Sequence, residues 1–310
     1  MGEIKDLIIA GAGIAGVSAA VYAKRSGLDF SIFEPQAVGG QLLSMETVDN
    51  YAGLGLGANA AQIAQELAKT LEGLDIRPVN ERISKITISG KLLNLDTDGG
   101  TYKTKALIAA TGASFTKLGL EGEDKFSGKG ISYCAVCDGF FFKGKDVAVV
   151  GGGNTAVEEA LYLSGIARKV SLIHRRDKLR ALDYLQKELA LKNNIEVIYN
   201  SIVVKPQGKK FLESVIVEDV LTKKQRVLNL SGLFVAIGIS PATEIFKNLV
   251  STDEKRFIIT DEEMKTSSNL IWACGDCRKR PLRQLITAAS EGAVAAISVY
   301  KYLKGHYISV

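Results

Sequence analysis

Twice in this chain a short apolar run with β-branched residues ends in a cluster of small residues that opens a helix, and nothing else in the sequence constrains the fold as tightly. In the first copy Asp6–Ala10 leads into Gly11–Ala12–Gly13–Ile14–Ala15–Gly16 and then into the helical stretch Val17–Arg25. In the second, Asp146–Val150 leads into Gly151–Gly152–Gly153–Asn154–Thr155–Ala156 and then into Val157–Gly165. Strand, tight turn and helix in that order form the front half of a βαβ unit, which lays its helix on a parallel sheet. Two copies in 310 residues predict an α/β protein of two domains. The 31 glycines against 5 prolines suit tight strand-to-helix turns better than Pro-rich linkers.

The spacing of the small residues also carries chemistry. Gly11 permits the turn, Gly13 lets backbone approach a pyrophosphate, and Gly16 lets helix and strand pack closely. The helix N-terminus around Ile14 and Ala15 then offers free N–H groups and a partial positive charge to phosphate. The next strand, Phe30–Phe33, ends at Glu34, and an acid about 20 residues past the glycines can accept from a ribose diol. The second fingerprint, with Gly152, Gly153, Asn154 and Thr155 in its turn, ends differently. Its following strand, Val170–Ile173, runs into His174–Arg175–Arg176, with Arg180 beyond. A carboxylate there would repel a 2′-phosphate, whereas guanidiniums bind one through forked, charge-assisted hydrogen bonds. The first site is therefore expected to take FAD and the second NADPH.

Between the fingerprints, Ile83–Ile88, Leu92–Asp96 and Thr101–Lys103 read as an antiparallel meander, and Ala106–Ala110 as a buried strand closing on Thr111–Gly112. The chain turns irregular around Ser114–Gly119 and again near Gly238–Thr243, where domain crossings are expected. Beyond the second crossing, Asn269–Cys274 reads as a strand and Gln284–Tyr302 as a long alanine-rich helix. That tail is too short for a domain of its own and should complete the first one. The expected architecture is two Rossmann-like dinucleotide-binding domains, with the NADPH domain (116–241) inserted into a discontinuous FAD domain (1–115 and 242–310).

The net charge of +5 is mild and its basic residues are dispersed, which gives no nucleic-acid or membrane footprint. No run approaches the roughly 18 apolar residues of a membrane span. The apolar stretch from Leu7 follows Glu3 and Asp6 and is broken by glycines, unlike a secretory signal. A cytoplasmic location is expected. In a reducing compartment structural disulfides are rare, so the two C-x-x-C pairs, Cys134/Cys137 and Cys274/Cys277, are metal ligands, redox pairs or core residues. About 140 residues lie between the pairs, far more than in compact zinc modules. Two thiols at this spacing can close a disulfide and depress each other's pKa into a range of about 3.5–7.5. Cys134–Cys137 stands directly before the second fingerprint, which favours redox work, and Asp138 beside it is a candidate proton donor or a turn cap. Around the second pair, Gly275 and Asp276 carry the functional signal, Asp276 as an acceptor for flavin ribitol hydroxyls, and the cysteines are read as inert core thiols.

These motifs, in this order, resemble the low-molecular-weight thioredoxin reductases of bacteria and archaea over nearly the whole chain. The likeness rests on Gly11–Gly16, Gly39–Gly40–Gln41–Leu42, Asp49–Asn50–Tyr51, Ala110–Gly112, Cys134–Gly139, Gly151–Ala156, His174–Arg176, Gly275–Asp276 and Arg283–Gln284. It implies a homodimer with one FAD per subunit, NADPH as donor and oxidised thioredoxin as acceptor, and it brings neither nucleic acid nor membrane as a partner. It assigns Cys134 and Cys137 as the redox disulfide, Cys137 nearer the flavin and Cys134 attacking thioredoxin, with Asp138 as the acid. It sets His174, Arg175, Arg176 and Arg180 at the 2′-phosphate, and Asn50, Asp276, Arg283 and Gln284 around the flavin. Pro35, Ile83, Ile237, Leu285 and Ala288 are further candidate cofactor contacts. The chain departs from the family pattern at Asn154–Thr155, where Asp-Ser is usual, at Ala52, where Pro is common, and in the apolar run Phe140–Phe142.

Only about a dozen residues separate Cys137 from Gly151, so disulfide and nicotinamide site ride on one domain while sharing one flavin on the other. The inserted domain is expected to rotate about the two crossings so that they take turns. A same-fold dithiol oxidase, a reductase of another small redoxin, a ferredoxin- or flavodoxin-type NADPH reductase and a non-catalytic FAD- or zinc-binding scaffold are the competing readings. The arginines after the second fingerprint count against the first of these, and the redox pair against the last two.

Overall fold

A computed structural model describes residues 3–45 and 47–305. The chain forms two compact units, one from its start to Ser114 and again from Ser240 onward, the other from Phe115 to Ile239.

In the discontinuous unit the strand Ile4–Ala10 pairs in parallel with Phe30–Phe33 on one side and Thr101–Ala109 on the other. The last of these is one continuous strand, where the sequence predicts two. The polar break at Thr104 is absorbed because its side chain, wholly buried, donates to the Ala106 carbonyl at 2.9 Å. One edge of this long strand is shared. Its first half pairs with the antiparallel meander Ile83–Ser89 and Leu92–Thr97. Its second half pairs in parallel with Ile271–Ala273, so the C-terminal segment completes the first sheet. The helices Ile14–Arg25 and Leu285–Lys304 pack together on one face, over a core that includes Leu7, Ile9, Ile108 and Trp272. Phe33, Leu93, Leu95 and Ile271 belong to a core on the other.

The second unit holds a five-stranded parallel sheet in the order Ile195–Ile198, Lys169–Ile173, Asp146–Val150, Gly232–Val235, Ile131–Ser132. A separate antiparallel sheet, Ser201–Gln207, Ser214–Asp219 and Gln225–Asn229, adds Val203, Val215 and Val217 to the core. In both units the fingerprint strand lies between the strand that follows its own helix and a later one. Chain order reverses there, opening a crevice at the carboxyl ends of the strands, which is where α/β sheets bind nucleotides. The two crossings run side by side as paired strands, Ala113–Phe115 with Ile239–Pro241.

Close packing at Gly16 and Gly292 and a backbone conformation that favours glycine at Gly11 together fix the first fingerprint. A Cβ at Gly16 would overlap the Gly11 carbonyl, and one at Gly292 would overlap the Ala15 carbonyl. Gly11 itself has φ of +106°, which L side chains rarely adopt. Gly16→Ala is expected to cost about 2–3 kcal/mol through overpacking and to lower the flavin retained per chain. The visible-to-ultraviolet absorbance ratio and thermal unfolding of the purified variant check this.

Candidate functional site

The crevice of the discontinuous unit has the local geometry that phosphate-binding turns use. A Cβ on Gly13 would meet only the Gly40 Cα, at 3.8 Å, so the turn leaves room for a group to approach the backbone. Ile14 and Ala15 start the helix with Gly13 in the N-cap position. Glu34 closes the second strand with its carboxylate held by backbone, Oε2 accepting from Ala12 N–H at 2.9 Å and Oε1 from Gln36 N–H at 3.0 Å. Pro35 lies between these anchors. Thr111 backs the Gly11 turn, its Oγ1 donating to the Ala242 carbonyl at 2.7 Å, and Gly112 follows at φ +70°.

Deeper in the same unit, Gln41 Nε2 donates to Asp276 Oδ2 at 3.1 Å and to the Ala113 carbonyl at 3.0 Å. Asn50 Nδ2 donates to Gln284 Oε1 at 2.8 Å. Leu42 is fully buried beneath them. Gly275 sits against Ala15, and the helix that starts with Leu285 brings Ala288 close to it. Asp276 keeps one oxygen, Oδ1, buried with no hydrogen-bond partner. Burial pushes its carboxyl above the usual range, against the pull of Arg280 and Arg283. The Oδ1 oxygen faces Arg280 Nη1 at 3.7 Å without a hydrogen bond, and such an acceptor beside an open glycine turn suits a ligand carrying both hydroxyls and phosphates. Arg283 lies over the Phe257 ring at 3.9 Å. Ile83 belongs to the core on the opposite face of the sheet.

Sequence reasoning missed what holds Asp276 in place. Glu291, the one acid of the helix Leu285–Lys304, accepts from Gly275 N–H at 2.8 Å, Arg278 Nη1 at 2.6 Å and Arg280 Nη1 at 3.2 Å. An acid on the inner face of an alanine-rich helix was the available signal.

Cys274 and Cys277 flank this turn and are both fully buried, one in each of the two cores that face opposite sides of the sheet. Burial raises both thiols, Cys277 to about 11, so neither supplies a thiolate at neutral pH.

In the second unit the turn after Asp146–Val150 is again open at one position: nothing lies within 4 Å of a Cβ built on Gly153. Asn154 Oδ1 accepts from Leu182 N–H at 3.0 Å, pinning the loop that carries the arginines, and Thr155 is exposed beside it. Arg175, Arg176 and Arg180 are exposed, and among the described residues none of the three is in an ion pair. Arg180 N–H also donates to the Gly152 carbonyl at 2.7 Å. His174 differs from them. It is only 4% exposed, and its ring occupies the space where a Cβ on Gly152 would go. Its Nε2 lies 3.0 Å from the Lys178 carbonyl, and burial lowers its pKa, which favours the neutral ring. His174 therefore buttresses the turn, and the exposed cationic charge belongs to the arginines. Ile237, half-exposed, ends the strand region before the second crossing.

On the same unit Cys134 and Cys137 form a disulfide at the start of the short helix Ala135–Asp138. The Cys134 sulfur accepts from Cys137 N–H at 3.2 Å, so Cys134 caps the helix that follows it. Ser132, nearly buried on the adjoining strand, donates to Asp138 Oδ2 at 2.6 Å and accepts from Cys134 N–H at 3.1 Å. Its one hydroxyl fixes both the candidate acid and the backbone of the candidate nucleophile, a role with no signal in the sequence. Around the pair, Val136 is 54% and Phe140 72% exposed, with Phe141 beside them, while Phe142 turns inward onto Phe234. Large exposed apolar side chains around a disulfide mark a surface suited to a protein partner.

Residues 5–292 match the family model described as pyridine nucleotide-disulphide oxidoreductase. A "34.2 kDa protein in rubredoxin operon" from Clostridium pasteurianum is 41% identical, with 97% of each chain covered. A thioredoxin reductase from Listeria monocytogenes is also 41% identical, over 97% of this chain and 95% of that one. The crystal structure of thioredoxin reductase from Streptococcus pyogenes superposes with a TM-score of 0.94 at 39% identity, over 98% of this chain and 99% of that one.

Proposed function

This chain belongs to the pyridine nucleotide-disulphide oxidoreductase family, and we propose that it is an NADPH-dependent thioredoxin-disulfide reductase with FAD in its discontinuous unit. The observation that carries this reading is the Cys134–Cys137 disulfide, ringed by exposed apolar side chains, on the same unit as an arginine-tipped nucleotide turn. The full-length likeness to thioredoxin reductases supports it. The homodimer rests on the family resemblance, and a cytoplasmic location belongs to the same proposal.

Bound flavin and nicotinamide together supply the conversion of a hydride into an electron pair for the disulfide. The chain's own residues do the rest. The Gly11–Gly16 turn and Glu34 hold the dinucleotide, and Asp276, steadied by Glu291 through Gly275, accepts from its hydroxyls. Gly153, Arg175, Arg176 and Arg180 hold the phosphorylated donor. Two electrons open the Cys134–Cys137 bond. Cys134 then attacks the thioredoxin disulfide, and Cys137 resolves the mixed disulfide, releasing dithiol thioredoxin and restoring the starting bond. Asp138, oriented by Ser132, holds the proton that the exchanging sulfurs take up and release. Donor site and disulfide share one unit, so they take turns at the flavin as that unit turns about the paired crossings.

Anaerobic addition of NADPH is expected to free two thiols per chain. Adding oxidised thioredoxin should then consume one disulfide per NADPH. NADPH oxidation without new thiols, or with oxygen consumed in place of the disulfide, would overturn the assignment and favour a reductase of other acceptors or an oxidase.

A further inference from the structure

The redox helix lies directly on the helix Asn154–Ser164. Ala135 is fully buried in the core formed with Ala156, Val157, Ala160 and Leu163. Gly139 packs so closely that an added Cβ would stand 3.1 Å from both Tyr162 and Leu163. Glu159 rises from the same helix into this junction. Its Oε1 lies 3.5 Å from the Ala135 nitrogen, and its Oε2 is buried with no hydrogen-bond partner among the described residues. The mechanism proposed above gives this carboxyl no part. A half-satisfied carboxyl packed under a redox helix costs stability, which points to a role there beyond packing.

We infer that Glu159 is a positioning residue for the redox pair: its carboxyl, lodged at the N-terminal end of the Ala135–Asp138 helix, sets by its charge how readily Cys134 and Cys137 yield thiolates once the disulfide opens. The inference rests on the redox reading of that pair. The Cys134 sulfur and the Glu159 carboxyl each accept from a backbone N–H of this one turn, the sulfur from Cys137 N–H and the carboxyl from Ala135 N–H. A thiolate on Cys134 is favoured by the Cys137 N–H from which its sulfur already accepts. An anionic Glu159 beside that turn repels the thiolate, whereas a neutral one does not. Opening the disulfide takes two electrons from the reductase's own donor, and two protons if both sulfurs end as thiols. The charge on Glu159 thus weighs on whether the second proton is retained.

Burial raises this carboxyl to about 7, against the pull of Ala135 N–H and with a further push from Glu158 on the same helix. The elements packed on this helix also carry Asp138, Asp146, Lys169, Asp183, Lys187 and Glu188, but the charge that acts on the Glu159 carboxyl is that of Glu158. As pH rises through neutrality the carboxylate forms, and thiolate formation on the pair is displaced to higher pH. The two titrations are coupled.

The test uses the full-length holoenzyme, reduced anaerobically with NADPH and alkylated with iodoacetamide across pH 5–9, with the modified cysteine located by mass spectrometry. Glu159→Gln keeps an acceptor for Ala135 N–H and removes the charge, and Glu159→Ala removes both. The wild-type rate profile is expected to show two inflections. Both variants should show one, displaced to lower pH, with alkylation at pH 7.5 about threefold faster, as expected for a charge effect of roughly half a pH unit. A Glu159→Gln profile that superimposes on wild type overturns the inference, whatever Glu159→Ala does, and leaves a merely structural acceptor. If Glu159→Ala fails to fold, Glu159→Gln decides alone. Failure of the underlying redox reading looks different: NADPH would then free no thiols in the wild type.

Discussion

Cys134→Ser is expected to accept hydride from NADPH within about twofold of the wild-type rate and to lose thioredoxin reduction by roughly 10³-fold or more. The two halves of that result have separate origins. The donor turn Gly151–Asn154 and the arginines behind it make no contact that the substitution removes. The helix should also survive, because Cys134 is the N-cap and its sulfur accepts from Cys137 N–H at 3.2 Å. Serine is among the best residues at that position. Its hydroxyl cannot exchange with a disulfide, so electrons have no exit. Stopped-flow absorbance of the bound flavin under NADPH measures the first half, and coupled reduction of thioredoxin the second. Cys274→Ser and Cys277→Ser are the contrast. Both thiols are buried on opposite sides of the first sheet, and both substitutions should leave turnover within about twofold while lowering stability by about 1 kcal/mol or more. Thioredoxin reduction at wild-type speed by Cys134→Ser would remove the central claim.

The parts of this structure that were legible in the sequence are those that steric exclusion forces. A side chain at Gly11 or Gly16 would strike backbone, so the first fingerprint announces its own turn. The strand tips are legible because charged residues there stand outside the apolar run: Glu34 ends half-exposed and Arg175 and Arg176 exposed at the carboxyl edge. Tertiary compensation is what local pattern cannot show. Thr104 looks like a strand break and is a satisfied buried hydroxyl within a nine-residue strand. The antiparallel sheet Ser201–Asn229 escaped because its strands alternate irregularly, with a register shift between Val203 and Lys205. In the site, burial separates residues that the sequence sets side by side: the resemblance puts His174 with the arginines, and its ring lies against Gly152 while the arginines are exposed. Ser132, Glu159 and Glu291 carry no motif at all, because each acts on a residue brought to it by the fold.

That difference between His174 and the arginines makes the second large effect a discriminating one. Replacing Arg175 and Arg176 together by alanine is expected to raise KM for NADPH by about 10²–10⁴-fold, at about 1.5–3 kcal/mol for one charge-assisted hydrogen bond lost from each. NADH lacks the 2′-phosphate, so its kcat/KM should move by no more than about threefold. The preference for NADPH is then a property of two exposed side chains, and salt should weaken it in wild type far more than in the double variant. His174→Ala predicts another pattern. Removing a ring that fills the space beside Gly152 loosens the turn beneath both nucleotides' shared pyrophosphate, so NADPH and NADH should weaken together, with little change in their ratio. Steady-state kinetics with both nucleotides at two ionic strengths separates the outcomes. If His174→Ala erased the NADPH preference while the double arginine variant kept it, phosphate recognition would lie with the buried imidazole, and the neutral, inward-facing ring described above could not be the state that binds. The prediction is sharp because charge and burial point to different residues within one run of three.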